Sequence, residues 1–246
     1  MKKLYFFFIA AFFLMLGTNY AQMSYDPFEL KINSPQEVTV YKKYMEGKTF
    51  LGFNTGLSIP FGTYGANTKL GFGAGMQAKY FISDHFVFGA SFNFYRSGFT
   101  DSYLSQMDSV FKVAAFDDTT KQLQVLSVSG ASTLYPFTLN IEYYFSPTKR
   151  FKTYIGLGLG FYVINHNLEV TTNKEKPQFF REVEATYGGS SLTSDFGVSP
   201  YAGFMLDFNE LISANFDIKY NQIFSNPVAS ALSFNIGILF NLGYKY

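Results

Sequence analysis

The 246-residue chain has no cysteine and no tryptophan, and only two histidines. Without cysteine there is no disulfide, no thiolate metal site and no lipidated N-terminal cysteine. Charge is scarce as well. Asp, Glu, Lys and Arg make up 15% of the residues and the formal net charge is +1, which removes the electrostatic case for a nucleic-acid partner. Mean hydropathy is only +0.04, too low for a bundle of membrane helices. What is plentiful is aromatic: 31 Phe and 19 Tyr, so that aromatics reach 20%.

The amino terminus stands apart from the rest. Lys2 and Lys3 precede the apolar run Leu4 to Leu16, and smaller residues follow up to Ala21. That is the anatomy of a secretory signal cut after Ala21, and its apolar core is too short for a spanning helix. Met23 to Lys48 is charged and lacks sustained alternation, which predicts an exposed extension with a short helical piece around Glu37 to Met45. The expected organisation is a signal peptide over 1–21, a periplasmic N-terminal extension over 22–48, and a single domain over 49–246.

From Thr49 onward apolar residues recur at every second position. The last stretch is the clearest. Leu232, Phe234, Ile236, Ile238, Phe240, Leu242, Tyr244 and Tyr246 share one parity, against Ser233, Asn235, Gly237, Asn241 and Gly243 on the other. A period of two puts those sets on opposite faces of a strand that runs to the last residue. Seven earlier segments repeat the pattern, carried by Leu51–Ile59, Leu70–Tyr80, Phe86–Phe94, Tyr135–Phe145, Ile155–Val163, Phe196–Phe208 and Ile212–Tyr220. An even count closes an antiparallel barrel, and a barrel in lipid keeps ordinary mean hydropathy because only alternate residues meet the membrane.

Volume decides which parity faces out. The bore of an eight-stranded barrel is just wide enough for side chains and could not hold this many Phe, Leu and Ile. The other parity mixes Gly with intermittent Tyr, which suits a narrow bore. No apolar-parity position in these spans carries a charge, as expected where Lys or Arg would cost about 2–4 kcal/mol at mid-bilayer. The reading is an all-β, eight-stranded antiparallel transmembrane up-and-down β-barrel, with ten strands as the alternative. Short connections at 82–85, 146–150 and 209–211 alternate with long ones at 60–69, 97–133, 165–194 and 222–231, which predicts short periplasmic turns and long external loops. Tyr80, Phe86, Tyr143, Phe145, Phe208, Tyr244 and Tyr246 gather near the short-turn end as a girdle. Val110–Phe116 and Leu123–Val128 look strand-like and are expected to extend the third and fourth strands as a protruding hairpin. Pro136 and Pro200 each remove a ladder donor, so a bulge or frayed end is expected near Pro136 and a local parity shift at Pro200.

Several short runs also resemble a known family. They are the Ala21-Gln22 junction, Lys79-Tyr80-Phe81-Ile82-Ser83-Asp84 leading into Phe86-Val87-Phe88-Gly89, Leu134-Tyr135-Pro136-Phe137 ahead of Glu142-Tyr143-Tyr144-Phe145, and Tyr154-Ile155-Gly156-Leu157-Gly158-Leu159-Gly160. The chain is similar to the porin-family outer-membrane β-barrel domains abundant in Bacteroidota, and to small OmpA/OmpX-type barrels. The resemblance covers 49–246. It implies the outer membrane of a Gram-negative bacterium, with both termini periplasmic. It also implies an assembly signal in Phe240, Leu242, Tyr244 and Tyr246 read by the barrel-insertion machinery. It implies no common activity.

Chemistry is sparse. His85 reads as a turn residue beside Asp84. His166, on the bore parity at the outer rim, has no serine at the spacing that a hydroxyl nucleophile would need. Gly71-Phe72-Gly73-Ala74-Gly75 precedes no helix and is no phosphate loop. No cofactor, metal or catalytic set is expected. Lys79, Glu142, Asp207, Asp217 and Lys219 share the bore parity, where the choice is between an ion pathway and structural ion pairing, and pairing is favoured. The outer loops carry charged residues such as Asp101, Lys112, Lys176 and Arg181, and recognition concentrates in loops on rigid scaffolds. The sequence therefore points to a non-enzymatic structural or interaction protein, an accessory subunit of an envelope complex. A narrow channel for ions or small solutes is the alternative, and a lipid-modifying enzyme the more distant one. Expected partners are membrane lipid and lipopolysaccharide, the insertion machinery and envelope proteins, with no nucleic acid.

Overall fold

The computed structural model describes residues 45–116, 123–147 and 150–242. The expected signal peptide and N-terminal extension up to residue 44, and Tyr244 and Tyr246, lie outside the described residues. Eight antiparallel strands close into a barrel in chain order. They are β1 (Thr49–Phe61), β2 (Thr68–Phe81), β3 (Phe86–Phe99), β4 (Val125–Tyr144), β5 (Phe151–Thr172), β6 (Gly189–Asp207), β7 (Ile212–Ile223) and β8 (Ala229–Asn241). The seam is β1 against β8, from Phe50↔Asn241 to Phe61↔Ser230. The strand count is eight, not ten. Among the described residues no helix is long and apolar enough to cross a membrane.

Alternation in sequence becomes alternation in exposure. Phe53 (59%), Leu139 (58%), Phe161 (62%) and Ile238 (50%) stand outside, while Asn54, Asn140, Tyr162 and Leu239 are buried. The short turns fall at 82–85, 145–150 and 208–211. Around them Tyr80, Phe86, Phe151 and Phe208 are exposed, and Tyr143 meets Phe86 and Phe145 edge-on.

Neither proline bends the scheme as expected. Phe92↔Phe137 and Tyr95↔Leu134 keep a single register across the two unpaired positions that include Pro136, so the ladder loses bonds without a bulge. Val198↔Gln222 and Tyr201↔Lys219 do the same around Pro200, which stays exposed on the outward parity. In both cases the opposite neighbour, β5, pairs through the proline and holds the register.

The long connections are where the sequence reading is corrected. Val110–Phe116 is not a strand; it belongs to a helix. Among the described residues three helices decorate this end: α1 (Gly62–Asn67), α2 (Asp101–Phe116) and α3 (Gln178–Tyr187). Thr100 starts α2, its carbonyl accepting from Leu104 N–H and its hydroxyl from Tyr103 N–H. Leu104, Met107, Phe111 and Ala115 then follow a helical period and face inward. Val125 and Val128 lie in β4, but that part of β4 pairs with β5 and not with β3.

The apolar parity also reverses here. On β5 the outward residues are Leu157, Leu159, Phe161 and Val163, then Asn165, Asn167 and Glu169. Beyond Val163 the buried apolar residues are instead Ile164, Leu168 and Val170, on the bore side. Polar residues replace apolar ones on the outward face, and the strands here adopt the inward-facing core of a water-soluble protein. Residues 164–172 carry β5 roughly 20 Å further out at the usual rise and tilt of a barrel strand. Leu168 and Val170 join Phe99, Phe111, Ala115, Leu123, Val125 and Phe180 in a small separate core under α2 and α3.

Candidate functional site

The bore is the natural place to look for chemistry, and it is filled. At the short-turn end Met45, Phe50, Phe81, Val87, Tyr144, Tyr154, Tyr201, Met205 and Leu239 pack into one buried cluster. Met45 is held by Asp84, whose Oδ1 accepts from the backbone N–H groups of Met45 (2.7 Å) and Glu46 (3.2 Å).

Above that floor sit four of the five charges anticipated from parity. Lys79 Nζ donates to Glu142 Oε2 at 2.9 Å and to Tyr144 Oη at 3.3 Å, and lies 4.3 Å from the Tyr154 ring centroid. Glu142 also accepts from Tyr201 Oη at 2.8 Å and from Tyr144 Oη at 3.1 Å. Lys219 Nζ lies 4.5 Å from the Tyr201 ring centroid. Asp217 accepts from Asn235 Nδ2 at 2.8 Å, and Asn235 Oδ1 accepts from Tyr95 Oη at 2.6 Å. All four charges are buried. Such a network is stable only if each lone pair and proton is satisfied, because the charges have left water.

Asp207 is not part of it. It sits at the short-turn mouth, where it pairs with Lys152 and accepts from Ser213 Oγ at 2.7 Å. Lys152 is a bore residue that the sequence reading passed over. It has the parity of Tyr154 and lies one dyad before it, which was the available signal.

Glycine is what lets the tyrosines fit. A Cβ at Gly156 would run into the ring of Tyr201, and one at Gly203 into that of Tyr154. A middle layer of uncharged groups follows: Gln77 to Asn215 (2.9 Å), Ser91 to Thr138 (2.7 Å), and Tyr162 with Ser199 and Asn221.

At the helical end Tyr64 of α1 closes the bore. Gly62, at φ +62°, lets the chain turn in from β1. Tyr64 then packs with Tyr95, Leu134, Tyr162, Ile164 and Ile223, and its hydroxyl meets Ser132 Oγ at 3.0 Å. Burial pushes the Tyr64 phenol above its usual range, with the Ser132 hydrogen bond pulling the other way. No periodicity marked Tyr64 in the sequence, since it lies in a connection.

His166 faces this plug, its ring 6.1 Å from Tyr64 and 5.8 Å from Phe99. Ser132 and Ser191 flank it in the ladder, yet among the described residues its buried Nδ1 has no hydrogen-bond partner. His85 accompanies its turn: Nδ1 lies 2.7 Å from the Tyr144 carbonyl and the ring stacks on Tyr143. Among the described residues no group of His, Asp or Glu is placed to hold a metal ion. Outside the bore, α2 and α3 enclose an open apolar cleft of about 310 Å³ lined by Val110, Val113, Ala114, Phe179, Val183 and Tyr187.

Comparison with known proteins agrees with this architecture. No curated protein sequence matches the chain. Among solved structures, Neisserial surface protein A is similar at 15% identity with a TM-score of 0.51, covering 80% of this chain and all of that one. Ail, the attachment invasion locus protein of Yersinia pestis, is similar at 14% identity and a TM-score of 0.48, covering 80% and 100%. OprG from Pseudomonas aeruginosa follows at 14% and 0.46, covering 81% and 98%. At such identities the first of these speaks for the fold and for nothing finer. The family described as outer membrane protein beta-barrel domain matches residues 38–245. An exterior of exposed Phe, Leu and Ile around a polar, tyrosine-filled bore is thus explained: the chain belongs to the outer membrane protein β-barrel domain family.

Proposed function

We propose that this protein is a sealed, non-enzymatic barrel that serves as a structural or interaction subunit of the cell envelope. The observation that carries the reading is the continuous filling of the bore, from Met45 and Phe81 at one end to Tyr64 at the other. Lys79, Glu142, Asp217 and Lys219 then act as internal struts, and Asp207 with Lys152 ties the short-turn mouth. The short-turn end and both chain termini face the periplasm, with α2 and α3 outside. Lipid and lipopolysaccharide surround the belt, and Phe240, Leu242, Tyr244 and Tyr246 are the mark read by the insertion machinery.

The test is electrical. Purified protein reconstituted into planar bilayers should give no steady conductance above the bare membrane. A reproducible ohmic step would overturn the reading in favour of a narrow channel.

A further inference from the structure

The stopper at the helical end is held lightly. Helix α1 buries one residue, Tyr64, and Phe61 before it supplies no side-chain cap. So short a helix has little stability of its own. Its far end is tied to Thr100, whose hydroxyl donates to the Ala66 carbonyl at 3.0 Å and whose N–H donates to the Asn67 carbonyl at 2.9 Å. At the near end Gly62, with φ +62°, acts as a hinge that a side chain would stiffen. Tyr64 can therefore leave its seat without breaking the ladder of the barrel.

His166 lines that seat. Its ladder partner Ser132 carries the hydroxyl that meets Tyr64 Oη, and its ring lies against Tyr64 and Phe99. Ile164 and Leu168, two residues away on either side along β5, are buried and apolar. Among the described residues two enclosed polar atoms here have no hydrogen-bond partner, His166 Nδ1 and Thr68 Oγ1. Thr68 directly follows α1 and pairs with Phe99. A neutral imidazole tolerates such a place, since it has one N–H to satisfy and no charge. An imidazolium has two N–H donors and a charge taken out of water.

The surroundings offer that charge no counter-ion. Facing His166 are Tyr64 of α1, Ser132 of β4 and Ser191 of β6, with Tyr103 of α2 behind Phe99. Tyr95 of β3 and Tyr162 of β5 lie below, in the same cluster as Tyr64. Arg96 on β3 and Glu169 on β5 are exposed on the outward parity, and Asp101 of α2 is exposed and paired with Lys69. Asp195 of β6 stands opposite Tyr162, about 13 Å along the strand from Ser191. Burial pushes His166 below its usual range.

We infer that His166 is a proton-operated latch on the Tyr64 stopper: the neutral imidazole lets Tyr64 seat, and protonation unseats it and opens the outer end of the bore to water. The buried floor around Met45 and Phe81 contains no histidine and stays shut, so the upper bore is wetted without a continuous path. Because the seated state favours neutral His166, seating is fully stabilised above histidine's ordinary range. That stabilisation is lost as pH falls through this range toward the lowered value. Between those limits the unseated fraction rises by up to about tenfold per pH unit. The latch adds regulation at one end and goes beyond the sealed-bore reading, whose own test is conductance.

Acrylamide is uncharged, so its access reports the stopper at any pH. Tyr162→Trp or Ile223→Trp places a single tryptophan beneath Tyr64, and the full chain in lipid nanodiscs is compared at about pH 8 and about pH 4.5. Quenching should be weak at the higher pH and several-fold stronger at the lower. With His166→Phe added the probe should stay shielded at both, and with Tyr64→Ala it should be quenched at both. With His85→Phe it should respond like the parent. In the protein without tryptophan, hydrogen exchange over Gly62–Asn67, corrected for its intrinsic pH dependence, should quicken at low pH and should not do so in His166→Phe. A probe that stays shielded at the lower pH, a response that survives His166→Phe, or one that disappears in His85→Phe would each overturn the latch and leave the sealed bore standing.

Discussion

Replacing Glu142 with leucine should be among the most damaging single changes in the barrel, at about 3–5 kcal/mol. The carboxylate is buried and accepts from Lys79, Tyr144 and Tyr201. Removing it leaves the Lys79 ammonium 2% exposed and, among the described residues, with no other carboxylate in ion-pair contact. Much of the loss is the cost of that stranded cation and not the worth of the pair. It follows that Lys79→Met together with Glu142→Leu should recover most of the stability, since a well-packed apolar pair is often no worse than a buried ion pair. Guanidinium unfolding of the protein in phospholipid vesicles measures both. A double variant as unstable as Glu142→Leu alone would contradict structural pairing.

The second large effect belongs to the outside. Leu139 is the middle one of the outward residues Tyr135, Phe137, Leu139, Ile141 and Tyr143 on β4, and is 58% exposed. In water its replacement by arginine would be nearly neutral. In the mid-bilayer it should cost about 2–4 kcal/mol. Asn167→Arg, on the same outward parity of β5 but beyond the apolar belt, should cost almost nothing. The contrast between the two is the prediction, and equal effects in vesicle unfolding would place both residues in the same medium.

These two positions also mark what the sequence could reveal. Leu139 and Glu142 were assigned to opposite faces by parity alone, because lipid on one side and a narrow bore on the other impose a strict period of two. The same rule gave eight strands and placed Lys79, Asp217 and Lys219 in the bore. It failed where the solvent changed. Past Val163 the outward residues become Asn165, Asn167 and Glu169, the apolar ones move inside, and the outward signal for β5 vanishes although the strand continues. The helix over Asp101–Phe116 was missed for a different reason. Val110-Phe111-Lys112-Val113 looks strand-like by composition, while its cap at Thr100 and its Leu104, Met107, Phe111, Ala115 spacing required reading the whole segment. Tyr64 closes the bore from a connection and Met45 from the segment before β1, where no period exists to announce them. Their roles come from where the barrel places them.

Lipid outside and a closed interior are directly measurable, because the chain has no tryptophan of its own. Single tryptophans are introduced as Leu157→Trp on the outward face and Tyr162→Trp in the bore, and each protein is folded into vesicles with brominated acyl chains. Leu157→Trp fluorescence should be strongly quenched by the lipid, and Tyr162→Trp should resist both the brominated chains and aqueous acrylamide. Quenching of Tyr162→Trp by acrylamide would show an open bore, and an unquenched Leu157→Trp would show that the apolar face never meets the membrane.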